Sequence, residues 1–167
     1  MTCEILARLL DDELRLNAFR DVSDNGLQIG NEGEIHRVAT AVDASLETFE
    51  RAAAAGAEML LVHHGLSWNG SFARLTGLNL KQARFALEHN LAVYAAHLPL
   101  DAHPTLGNNA QLAAVLGLEK LRPFMPYHGQ PIGFSGVLAE PLSQEAFEAR
   151  IRAAVCPVRL ERFLYGA

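Results

Sequence analysis

The sequence predicts an α/β fold in which βαβ units form a mostly parallel or mixed sheet with helices on both faces. Three apolar, β-type runs alternate with helix-period segments, the order expected of parallel βαβ units. Each run is continuously apolar, as strands covered on both faces are. Composition agrees: of 167 residues, 50% are hydrophobic and 20% charged, which excludes a coiled coil, a collagen-like repeat and a disordered chain.

Thr2 is placed to cap a first helix whose apolar face carries Ile5, Leu6, Leu9 and Leu10, continued by Leu14. Residues 37–42 are short, apolar and β-branched, and read as a buried strand ending at Asp43. A helix follows from about Ser45, with Leu46, Phe49 and Ala53 on one side and Gly56 as its stop. Residues 59–62 form the next strand and run into His63-His64-Gly65. Residues 80–88 read as a helix with Phe85 inward, and residues 91–96 as a third strand that delivers the chain to His97.

Residues 108–116 look like a short helix closed by Gly117. Residues 121–131 hold three prolines and one glycine, the mark of a loop or domain boundary. The expected organisation is therefore an α/β domain over residues 1–122, carrying the site described below, and the start of a second, incomplete α/β segment over residues 123–167. Within that segment, residues 132–138 read as a strand weakened by Gly133 and Gly136. Ser143 caps a helix with Phe147, Ile151 and Val155 on one face, and residues 158–165 begin another element.

The net charge of −5 is local: residues 1–50 hold eleven acids and four bases. No Lys/Arg cluster exists, which argues against a nucleic-acid surface, because neutralising phosphates needs concentrated positive charge. The start has no basic leader before an apolar run, so it does not read as a signal peptide. The uncharged stretches 102–118 and 123–139 contain Pro, Gly, His and amide side chains and do not suit a bilayer. Cys3 and Cys156 read as two reduced thiols. A soluble, cytoplasmic protein without a membrane partner is expected.

In open parallel sheets, ligands bind beyond the carboxyl ends of the strands. Here those ends are Asp43, His63-His64 and His97, which a shared parallel sheet would bring to one edge. Four of the seven histidines fall in two short segments, as His63, His64, His97 and His103. Adjacent residues on an extended chain point in opposite directions, so His63 and His64 do not easily chelate one ion together; they can serve two neighbouring ions, or one can ligate while the other supports the site from behind. Asp101 is the complementary carboxylate. Imidazole plus carboxylate without thiolate suits zinc, iron, manganese or nickel, and leaves room for water that is nucleophilic near neutral pH. The competing reading makes the His-His pair a hydrogen-bonded strand end, Asp101 a turn residue and Asp43 part of a helix cap. Trp68 reads as local packing, Asn108-Asn109 as the start of a helix, and His36, His89 and His128 as structural.

Three ordered motifs carry a resemblance that runs from about residue 1 to about residue 140. They are Asp24-Asn25-Gly26-Leu27-Gln28-Ile29-Gly30, Leu61-Val62-His63-His64-Gly65, and His97-Leu98-Pro99-Leu100-Asp101-Ala102-His103 followed by Gly107-Asn108-Asn109. The chain resembles the dinuclear-metal proteins of the YbgI type, the Nif-three-like proteins catalogued as GTP cyclohydrolase 1 type 2 homologues. The resemblance implies an α/β fold, a site for up to two divalent cations, and a ring-like homo-oligomer. His63, His64 and Asp101 would be metal ligands. His97 would stand beside the metals, either supporting a ligand from behind or facing the substrate as general acid/base, with a place as a possible fourth donor. Residues 24–30 would be a structural turn. Family members continue further and supply a second His and Glu, which residues 140–167 do not provide, so the N-terminal portion of the architecture is expected.

The function expected is that of a metal-dependent, hydrolase-like protein acting on a small nucleotide or heterocyclic substrate. The alternatives are a metal-binding scaffold or interaction protein without turnover, and an inactive fragment whose histidines are structural.

Overall fold

The computed structural model describes residues 1–156 and 159–161. Helix α1 (Cys3–Leu14) leads through β1 (Gly26–Ile29) and β2 (Val38–Asp43) to α2 (Leu46–Ala54) and β3 (Met59–His64). Then come α3 (Gly77–Glu88), β4 (Ala92–Ala95), α4 (Leu98–Ala102) and α5 (Asn108–Val115). The described elements end with β5 (Leu118–Tyr127), β6 (Gln130–Leu138) and α6 (Gln144–Val155). The element expected over residues 158–165 lies for the most part outside the described residues.

The main sheet has the order β1-β4-β3-β2, and β2, β3 and β4 are parallel as the βαβ alternation requires. Its fourth strand, β1, pairs antiparallel with β4 and makes the sheet mixed. Residues 24–30 were expected to turn; instead they carry this strand. Three side chains between two glycines show no period, and β1 becomes a strand only because the buried β4 offers it a ladder. The buried strand expected over residues 37–42 also needs correction. β2 is the sheet edge, with Val38 42% and Val42 61% exposed.

Alternating side chains of β3 and β4 fill two cores on opposite faces. On one face Leu60, Val62, Val93 and Ala95 pack with Phe49 and Ala52 of α2 and Ala86 of α3. On the other, Met59, Ala92 and Tyr94 pack with Cys3, Ala7 and Leu14 of α1. The buried stripe of α1 is therefore Cys3, Ala7 and Leu14 with Leu6 and Leu10 alongside, whereas Ile5 and Leu9 face outward. Thr2 is the N-cap residue by position, but its side chain makes no cap bond. Ser45 does cap α2, in a reciprocal box with Thr48.

Residues 121–131 are not a loop. β5 and β6 form a two-stranded ribbon, and the boundary expected after residue 122 falls inside β5. Prolines survive there because both strands of a two-stranded ribbon are edges, where a missing N–H need not break a ladder. Ser143 caps α6 through the N–H of Ala146, and Phe147 and Ile151 are half-buried while Val155 is exposed. Both cysteines are free thiols, Cys3 buried and Cys156 exposed. Among the described residues, no helix is long and apolar enough to cross a membrane.

Candidate metal centre

The parallel register aligns the carboxyl ends of three strands. Asp43 of β2 pairs with His64 of β3, Val62 of β3 pairs with Ala95 of β4, and His97 follows β4 by two residues. The convergence expected from strand order is therefore present. His63, His64 and His97 each offer a ligand atom, and the three atoms lie within 4.8 Å of one another. The ring centroids of His63 and His64 are 4.6 Å apart, and His97 stands 4.9 Å from His63 and 5.6 Å from His64. The opposite orientations expected of adjacent histidines do not keep them apart. They sit where the strand stops, and side chains that lean along the strand reach round the sheet end to the same space.

Each of the three imidazoles has its Nδ1 against an oxygen. His63 Nδ1 is 3.0 Å from the carbonyl of Ala96, His64 Nδ1 is 2.7 Å from Asp43 Oδ1, and His97 Nδ1 is 3.0 Å from Asp21 Oδ1. A proton on Nδ1 satisfies all three contacts and leaves Nε2 as the nitrogen with a free lone pair, the pattern that orients metal-binding histidines. The carboxylates differ in exposure: the Asp21 side chain is 2% exposed and Asp43 is 68% exposed. Burial raises the Asp21 carboxyl, but hydrogen bonds from Asn25, His97, Ser23 and Leu98 outweigh it and hold its pKa below the ordinary value.

Asp101 lies on α4 with Oδ2 3.6 Å from His63 Nε2, beyond hydrogen-bond distance, and is not part of the three-histidine group. Its other oxygen accepts from Asn108 Nδ2 at 3.1 Å. Asn108 starts α5 as expected, and thereby also steers the carboxylate. α4 meets α5 tightly, since a Cβ on Gly107 would fall against the carbonyl oxygens of Leu100 and His103.

After His64 the chain turns at Gly65, where a Cβ would lie 2.5 Å from Ala95 Cβ and from the Gln28 amide. The following loop sets Trp68 edge-on to His97 at 5.0 Å, with its Nε1 donating to the carbonyl of Gly65 at 3.1 Å. Trp68 thus packs against the cluster itself.

The remaining histidines lie apart from the cluster. His103 pairs with Glu13 at 3.3 Å and accepts the N–H groups of Thr105 and Leu106. His89 stacks on Phe85, His36 sits by Glu34 and His128 by Tyr127. Asp43 joins the α2 cap only through its backbone carbonyl, which accepts from Thr48 Oγ1; Ser45 is the N-cap residue, and the Asp43 carboxylate is left to His64. Sequence reasoning missed Asp21 altogether. Its one trace was an acid opening the polar run Asp21-Val-Ser23-Asp24-Asn25.

A family model described as Duf34/NIF3 (NGG1p interacting factor 3) matches residues 1–164. The chain belongs to that family. Curated relatives of this Duf34/NIF3 chain include the GTP cyclohydrolase 1 type 2 homolog of Deinococcus radiodurans, 46% identical over 147 residues, which are 88% of this chain and 56% of that protein. The homolog of the same name from Archaeoglobus fulgidus is 48% identical over 133 residues, 80% of this chain and 54% of that protein. The chain thus spans about half the length of these curated relatives.

Among solved structures, the structural-genomics protein ybgI, of unknown function, is similar with a TM-score of 0.83 and 33% identity. The match covers 92% of this chain and 60% of ybgI. A protein of Thermus thermophilus is similar with a TM-score of 0.82 and 35% identity, over 92% of this chain and 61% of that one. The Duf34/NIF3 chain therefore has the mixed α/β fold of these neighbours.

Proposed function

We propose that this Duf34/NIF3 chain binds a divalent cation at the end of its sheet, through His63, His64 and Asp101, with His97 as a further nitrogen donor. The observation that supports this is the convergence of three imidazoles whose Nδ1 atoms all face oxygen. The donor set fits the ion: nitrogen and carboxylate oxygen without thiolate suit zinc, iron, manganese or nickel. Such an ion supplies Lewis acidity that polarises a substrate oxygen and makes water acidic.

The chain's own groups have distinct duties in this reading. Asp43 and the Ala96 carbonyl keep the protons of His64 and His63 on Nδ1. Asn108 Nδ2 holds one oxygen of Asp101 and leaves the other toward His63. One lone pair cannot serve two purposes, so a His97 Nε2 that donates to an ion is unavailable as a base. General acid/base work falls to His97 only where that Nε2 is not bound to the ion.

The reaction class we propose is hydrolysis of a small nucleotide or heterocyclic substrate, as the relatives' cyclohydrolase names suggest. A homo-oligomer is proposed with it, because large apolar side chains such as Leu78 (60% exposed) and Leu87 (69% exposed) lie open on α3. Light scattering at the size of a single chain would argue against assembly.

The deciding experiment is elemental analysis of the purified chain beside His63→Ala/His64→Ala. The expected result is about one divalent ion per chain in the wild type, from one set of three or four donors per ion. The double variant should hold none while keeping its far-UV circular dichroism. Unchanged metal in the variant would overturn the site.

A further inference from the structure

Residues 21–28 touch both the loop that follows His63 and His64 at the end of β3 and the segment after β4 that carries His97. Toward the loop after β3, Asp24 Oδ2 accepts from the Ser67 hydroxyl and from the N–H of Gly70, and Gln28 Oε1 accepts the N–H of Leu66 at 2.7 Å. Toward the loop after β4, Asn25 Oδ1 accepts the N–H of His97 at 2.7 Å.

Asp21 has the densest set of partners. Its Oδ1 faces the N–H of Ser23 at 3.1 Å and His97 Nδ1 at 3.0 Å. Its Oδ2 accepts from Asn25 Nδ2 at 2.9 Å and from the N–H of Leu98 at 3.0 Å, and lies 3.1 Å from His97 Nδ1. Every other group facing the carboxylate is a donor. A bare lone pair on His97 Nδ1 would meet two carboxylate oxygens repulsively, so the contact requires the proton there.

We infer that Asp21 is the positioning residue of His97: it fixes the Nδ1–H tautomer, frees Nε2 for the cluster, and through Leu98 sets the start of α4, which carries Asp101. Asp21 touches no ion or substrate itself. The inference deepens the metal reading above, and part of its test is independent of that reading.

An asparagine at this position has the same shape but only one accepting oxygen. Its NH2 group must face donors that both carboxylate oxygens now accept, so the ring of His97 loses its anchor without loss of packing volume. The experiment uses the full chain, metal-free, and reads the His97 tautomer by 15N NMR at about pH 8, where free imidazole is neutral. The wild type should show His97 protonated on Nδ1; protonation on Nε2 would overturn the inference with no variant needed. In Asp21→Asn the His97 signals should move to a tautomer mixture, and zinc affinity measured against a chromophoric chelator should fall about 10–100-fold. Wild-type tautomer and affinity in a folded Asp21→Asn would equally overturn it. If zinc affinity proves independent of His63 and His64, the metal reading falls, and the tautomer result alone decides for or against Asp21.

Discussion

Asp43 and His64 are register partners at the carboxyl ends of β2 and β3, and their side chains meet with Oδ1 2.7 Å from Nδ1. The ladder itself delivers the acid to the imidazole. The same chemistry joins Asp21 to His97, but there the carboxylate is buried, whereas Asp43 and His64 are 68% and 41% exposed. Water competes for the exposed contact and screens it. Replacing Asp43 by Asn should therefore lower zinc affinity by about 10-fold or less, near the bottom of the range for such outer partners. Chelator competition on Asp43→Asn beside Asp21→Asn checks this; a larger loss at Asp43 would contradict the role given to burial.

Trp68 is the single tryptophan, with its ring centroid 5.0 Å from His97 and 5.9 Å from His64. Bound nickel or cobalt, being paramagnetic, should quench its fluorescence in a saturable way, while zinc should quench far less. A titration followed by emission checks this, with His63→Ala/His64→Ala as the comparison. Quenching of equal depth in the double variant would place the ion elsewhere.

Gly65→Ala should be destabilising, because its Cβ would sit 2.5 Å from Ala95 Cβ inside a packed sheet end. Overpacking of this kind costs about 1–3 kcal/mol. Urea unfolding of the variant should show a lowered midpoint. An unchanged midpoint would mean that Gln28 and Ala95 yield freely.

Glu58 supplies a pH test far from the cluster. Its carboxylate accepts the backbone N–H groups of Arg37 at 2.7 Å and His36 at 3.2 Å, tying the entry of β2 to β3. The Arg37 bond leads the causes that, against burial, hold its pKa below the ordinary glutamate value. A depressed folded-state pKa stabilises above the ordinary value near 4.5, and that stability is lost as pH falls through the folded-state value. Glu58→Gln should therefore be less stable than wild type at neutral pH, and the gap should close toward about pH 3. Urea midpoints at the two pH values measure it; a gap that widens in acid would refute the sign.

Much of the molecule was legible along the chain. Continuous apolar runs marked β3 and β4, and the alternation with helices fixed their parallel order. That order alone predicted that Asp43, His63, His64 and His97 would share an edge, and the register confirms it. Local chemistry also read correctly where it was local: the Ser45 and Ser143 caps depend on residues three positions away.

The failures share one physical cause, which is dependence on partners remote in sequence. β1 has no period of its own and exists because β4 offers it hydrogen bonds. The β5–β6 ribbon reads as a proline-rich loop until its two edges are seen to pair. Asp21 sits 76 positions from His97, and no spacing rule links an acid to an imidazole over that distance. The sequence by itself determined the α/β class, the parallel strands and the histidines at their ends, because apolar pattern and strand order act over short range. Only the tertiary structure decided which strand is the edge and which acid holds which imidazole, because those depend on where the sheet ends meet.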